Sequence, residues 1–153
     1  MPLRNFLITC AVIKNKKIMR TGAGSIILSK STKRILLTKR SVHLPQAGKW
    51  SSWGGWINSG EDPLDGALRE LVEETGYSGQ ILEKHSLLVY QKYNFQYHNF
   101  LLLVEDEFYP TIDWETEEYA WFELDKFPDP LHFGLRRLME EDSDKIRQLI
   151  EAL

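Results

Sequence analysis

The 153-residue chain predicts a mixed α/β fold, with strands and helices layered around one core. Three observations predict it. Short β-branched and apolar runs separated by turn signals fill the first forty residues and return beyond residue 80. Between them Leu64, Ala67, Leu68, Leu71 and Val72 switch to helical spacing. At the C-terminus Leu131, Leu135, Leu138 and Met139, then Ile146, Leu149, Ile150 and Leu153, do the same. With 42% apolar and 27% charged residues, the composition is that of a globular chain able to bury a core without staples.

Residues 5–13 and 22–29 read as the first strands. Arg4 followed by Phe6–Ile13 imitates the start of a signal peptide. The run is short, however, and Lys14, Lys16 and Lys17 stand where a small-residue cleavage site would lie. No segment approaches the roughly 20 apolar residues of a membrane span. Together with the lone Cys10, this predicts a single cytoplasmic domain over residues 1–153. Residues 34–39 read as a third strand after a turn at 29–33, and the Gly-, Pro- and Trp-rich segment 41–60 as a loop. Further strands are expected near 81–92, 97–105 and 119–123, and the apolar tail as helices.

The net charge of −3 conceals an asymmetry. Residues 1–60 carry eleven Lys and Arg and no acid, whereas residues 61–153 carry eight bases and all 22 acids. Either a basic wall faces an acidic site, which would suit an anionic substrate held with cations, or the halves interleave and pair across strands. The bases are scattered singly or in adjacent pairs and not clustered, which speaks against a nucleic-acid partner.

The central helix breaks a local rule. Its start is favourable, with Asp62 as N-cap, Pro63 at the first position and Asp65 in the first turn, and Gly76 is placed to end it. Yet Glu70, Glu73 and Glu74 stand at i, i+3 and i+4 near the C-terminus, on one side. Cations are preferred there by about 0.3–1 kcal/mol each, and acids at i, i+4 repel. Arg69 offers one compensating charge and a divalent cation would supply the rest. Oxygen donors without His or Cys point to Mg²⁺ or Mn²⁺. The four His residues show no ligand spacing.

Gly55, Glu61 and the run Arg69-Glu70-Leu71-x-Glu73-Glu74-x-Gly76 resemble the Nudix box of the MutT-like pyrophosphohydrolases at all eight of its fixed positions. Two neighbours depart from the pattern: Trp53 stands where Pro often precedes the glycine pair, and Tyr77 where an aliphatic residue is usual. The resemblance implies an α/β/α sandwich, its mixed sheet held between the box helix and the C-terminal helices. It also implies hydrolysis of a nucleoside diphosphate linked to a moiety X, such as a sugar, a further phosphate or a second nucleoside. By that pattern Glu70, Glu73 and Glu74 hold the metal, the Gly54 carbonyl adds a ligand, and Glu70 is a candidate base. Arg69 orients the carboxylates, and Glu61 supports the loop or a second metal. Among Glu115, Glu117 and Glu118, Glu118 is the favoured additional acid. Lys39 and Arg40 are candidate phosphate contacts, and Trp50 and Trp53, in a triplet with Trp56, candidate stacking residues. Tyr93 stands about where dinucleoside-polyphosphate members carry a tyrosine. The alternatives are RNA 5′-end pyrophosphohydrolysis and a silent module that binds nucleotides, the latter disfavoured by retention of the box acids. A homodimer is the default expectation for any such domain.

Overall fold

The computed structural model describes residues 19–153, so the strand expected at 5–13 lies outside the described residues. Strand β1 (Arg20–Ser29) is the spine. It pairs antiparallel with β2 (Ile35–Arg40) and parallel with β6 (Phe95–Val104), which makes the sheet mixed. Strand β5 (Glu83–Lys92) flanks β6, and β7 (Thr116–Phe122) pairs with β2.

The segment expected to be a loop contributes two short strands. These are β3 (Trp50–Ser51), on the edge of β2, and β4 (Trp53–Trp56), on the edge of β1. Their pairing is supplied by β1 and β2, whose free backbone groups accept even a Gly-Gly segment.

Alternation along β1 sorts the core into two layers. Ala23 and Ile27 face helix α1 (Pro63–Thr75), packing with Leu36, Trp53, Ala67, Leu71 and Leu102. Ile26 and Leu28 face helix α2 (Phe133–Glu151), with Ile35, Leu37, Leu101, Leu135, Leu138 and Ile146. The apolar tail expected as helices is thus one continuous helix, preceded by a 3-10 turn at Leu124–Lys126. The sheet lies between α1 and α2. Among the described residues, no helix is long and apolar enough to cross a membrane.

Candidate active site

Helix α1 begins and ends as its sequence requires. The Asp62 carboxylate accepts from the Leu64 amide at 2.9 Å, Pro63 opens the helix, and Gly76 closes it at φ 70°, where a side chain would be strained. No base stands in the last turn. The charge needed there comes from Arg69, one turn earlier.

Arg69 is the hub of the site. Its Nε and Nη2 donate to the two oxygens of Glu61, both at 3.0 Å, and its Nη1 to Glu70 at 3.1 Å and Glu73 at 3.0 Å. Nη2 also donates to the Trp56 carbonyl at 3.1 Å. Glu61 accepts in addition from the Asn58 amide at 3.0 Å, and Arg69 holds its carboxyl below the usual range. Of the two roles expected of Glu61, support for the loop is the one its contacts serve.

Glu74 differs. It is turned inward, where its Oε1 accepts from the Gly54 amide at 2.9 Å and its carboxyl lies beside that of Glu70. Burial, followed by the charge of Glu70, pushes it well above the usual carboxylate range. Two glycines make this approach feasible. A Cβ on Gly55 would lie 2.7 Å from Glu70 Oε1, and one on Gly54 would strike the Ala23 carbonyl and the Tyr97 hydroxyl. The three box acids therefore share a helix face but split in conformation. Glu73 is drawn outward to Arg69, while Glu70 and Glu74 share the space behind Gly54 and Gly55. Among the described residues, no three acid, His or Cys side chains close into a ready-made cage.

Other expectations change. Glu118 lies 3.9 Å from Lys39, and alternation along β7 places it with Ala120 and Phe122, on the sheet face turned away from α1. Among the charges that act on Glu74, Glu118 does not appear. Glu115, at the turn before β7, does: its charge acts on Glu74, and it is itself raised by burial, Asp113 and Glu70. Lys39 stands beside Glu117 and Glu118, at 4.0 and 3.9 Å. Arg40 does face the site, and its charge acts on Glu115 and Tyr97.

Trp50 and Trp53 are core residues, 7% and 0% exposed. Trp53 Nε1 donates to the Leu36 carbonyl and Trp50 meets Phe122 edge-on, so neither can stack on a ligand. Tyr93 sits at the tip of the β5–β6 hairpin, 90% exposed at φ 54°. Pairing sets Asn99 level with Gly24 and Gly54, so Tyr93 is six residues away, about 15–20 Å along the strand and turn. Tyr93 therefore stands well away from the box acids, two residues from Phe95.

Sequence reasoning missed Tyr97. Its ring lies over Gly22 and its hydroxyl reaches Gly24 and Gly54. The available signal was the Gly-x-Gly inside β1, which marks a close approach by another group.

A NUDIX domain model matches residues 19–142. The chain belongs to the Nudix family. Its layers are those of the Nudix α/β/α sandwich. A MutT Nudix hydrolase structure from Burkholderia pseudomallei superimposes with a TM-score of 0.65 at 28% identity, covering 80% of this chain and 96% of that one. The Nudix domain of Shewanella oneidensis NrtR, solved with ADP-ribose, gives a TM-score of 0.71 at 18% identity over 95% of this chain and 99% of that one, a likeness of fold alone. An oxidized purine nucleoside triphosphate hydrolase from Mus musculus is 31% identical over 107 residues, 68% of this chain and 67% of that protein. Other matches are partial: this chain spans 23% of Nudix hydrolase 6 from Arabidopsis thaliana, at 37% identity over 42% of this chain. It spans 46% of a putative 8-oxo-dGTP diphosphatase from Bacillus subtilis (strain 168), at 36% identity over 49% of this chain.

Proposed function

We propose that this Nudix protein is a pyrophosphohydrolase, dependent on Mg²⁺ or Mn²⁺, that cleaves a nucleoside diphosphate linked to a moiety X. The observation that carries the reading is the Glu70–Glu74 pair. Two carboxyl groups are held together behind a Gly-Gly strand, and Arg69 reaches only one of them. Such a pair is unfavourable until a cation enters, and every donor around it is a hard oxygen. Glu70, Glu73 and Glu74, with the Gly54 carbonyl, would hold the ion. When bound, it supplies charge neutralisation of the pyrophosphate and a water that is nucleophilic at neutral pH.

The chain's own residues do the rest. Arg69 fixes Glu70 and Glu73, so their oxygens need little reorganisation. Glu70 accepts the proton of the attacking water as its oxygen bonds to phosphorus. The bond from that phosphorus to the bridging oxygen breaks, leaving a nucleoside monophosphate and X-phosphate where X is joined through the second phosphate. Arg40 contacts a phosphate oxygen, and Glu115 is the additional acid.

Two relatives are named for oxidised purine nucleotides, which puts triphosphates, including oxidised ones, first among substrates; nucleoside diphosphate sugars and dinucleoside polyphosphates follow. A panel of these with Mg²⁺, run beside Glu74→Gln and including triphosphorylated RNA, tests the reading. One substrate far above the rest and lost in the variant is expected. Silence with every substrate, together with a ligand-induced thermal shift, would replace the enzyme by a binding module.

A further inference from the structure

We infer that Trp56, braced by Phe95 and Arg20, is the platform on which the substrate's aromatic base stacks. The inference rests on the hydrolase reading above and adds the subsite for the nucleoside. Of the tryptophans at 50, 53 and 56, Trp56 alone is open, 49% exposed against 7% and 0%. Its place on β4 gives that exposure a direction. Trp53 and Gly55 face α1, so Gly54 and Trp56 point to the other face of the strand. The amide of Gly54 holds Glu74, and two residues along a strand span about 6.6 Å. A diphosphate held at the acids therefore has its nucleoside within reach of the indole.

The mounting is rigid. Arg69, which orders Glu61, Glu70 and Glu73, also grips the Trp56 carbonyl, so one guanidinium sets both the carboxylates and the backbone that carries the indole. Phe95 meets the indole edge-on, with centroids 5.7 Å apart at 86°, and packs in turn on Tyr97 at 6.3 Å. The Arg20 guanidinium lies over one face of the indole, 4.1 Å from the ring centroid, so it backs the ring with positive charge and the base would take the opposite face. An aromatic ring attached to an anion matches this pairing of indole and guanidinium. The other open tryptophan near the acids, Trp114, is 62% exposed beside Glu115, but it sits in a turn and not on a strand.

The test is calorimetric binding of Mg²⁺ complexes of ADP, GDP, CDP and UDP, with Mg²⁺ pyrophosphate as the base-free control. Trp56→Ala should raise the Kd of the tightest nucleotide about tenfold, equivalent to about 1.4 kcal/mol, and leave pyrophosphate unchanged. Trp56→Phe should keep most of the affinity, and thermal melts of both variants confirm folding. The proposal is overturned if no nucleotide binds the wild type, if Trp56→Ala binds it equally well, if nucleotide and pyrophosphate weaken together, or if Trp114→Ala carries the loss instead. Nucleotide binding with this selectivity, but without turnover of any anhydride, would leave the platform standing and remove the hydrolase.

Discussion

At its N-terminal end α1 is built as a stable helix should be, with an Asp62 cap, proline in the first position and an acid in the first turn. At its C-terminal end it gathers Glu70, Glu73 and Glu74 with no base in the last turn, and it half-buries Glu74. The first end follows every electrostatic preference of a helix and the second violates them within four turns. Stability and function are thus divided along one element. Arg69 marks the boundary, reaching back to Glu61 and forward to Glu73. Substitutions at the two ends should consequently separate stability from turnover.

The largest effect is expected at Glu74. Glu74→Gln should reduce kcat by at least about a hundredfold, since even the partners of metal ligands are worth about 10–100-fold. Without metal the same variant should melt higher at neutral pH. The folded-state pKa of Glu74 is raised above its ordinary 4.5, so its contribution to stability is full below that pH and is lost as the pH rises toward the folded value. The gain should accordingly vanish in melts near pH 4. A variant that loses activity and also melts lower at pH 7 would show that Glu74 serves the fold.

Arg69→Ala comes next, because it frees four groups at once. Turnover should fall about 10–100-fold, and the thermal midpoint should fall as well, because Glu61 and Glu70 lose their partner. A smaller contrast sharpens the site: Glu115→Gln should slow turnover more than Glu118→Gln, which only disturbs a pair with Lys39. Equal effects would return Glu118 to the site. At the stable end, Asp62→Ala should cost about 1 kcal/mol in denaturant unfolding and leave kcat unchanged.

What the sequence disclosed follows the range of the interactions involved. Helix α1 was legible to its caps because Asp62, Pro63 and Gly76 act within one turn of themselves. The box acids were legible because a helix fixes which residues share a face. Strands β3 and β4 were not, since Gly54, Gly55 and their tryptophans carry turn chemistry and are straightened only by pairing with β1 and β2. The choice of Glu115 over Glu118 depends on alternation in β7 and on an irregularity between Lys39 and Arg40, neither of which can be counted from a chain. The tryptophans at 50, 53 and 56 divide for the same reason. Three residues in a strand is an odd step, so Trp53 and Trp56 fall on opposite faces.

The smallest prediction concerns the start of the other helix, α2, where the cap is a histidine. His132 Nδ1 accepts from the Gly134 amide at 2.9 Å, and its Nε2 lies 3.2 Å from the Gln46 side chain. Burial first, then the charges of Arg40 and Lys49, lowers its pKa from 6.5 to about 4. An accepting Nδ1 must be unprotonated, so the cap requires the neutral ring. The depressed value means that the stabilisation is present above pH 6.5 and is lost as the pH falls toward 4, because only the unfolded chain takes up the proton in that window. Asn at this position still caps a helix but does not titrate. The difference in unfolding free energy between wild type and His132→Asn should therefore shift in favour of the variant as the pH falls from 6.5 to 4, and stay flat from 7 to 8. A difference that is flat throughout would mean that His132 has the same proton affinity folded and unfolded, and that the start of α2 takes no part in the protein's response to pH.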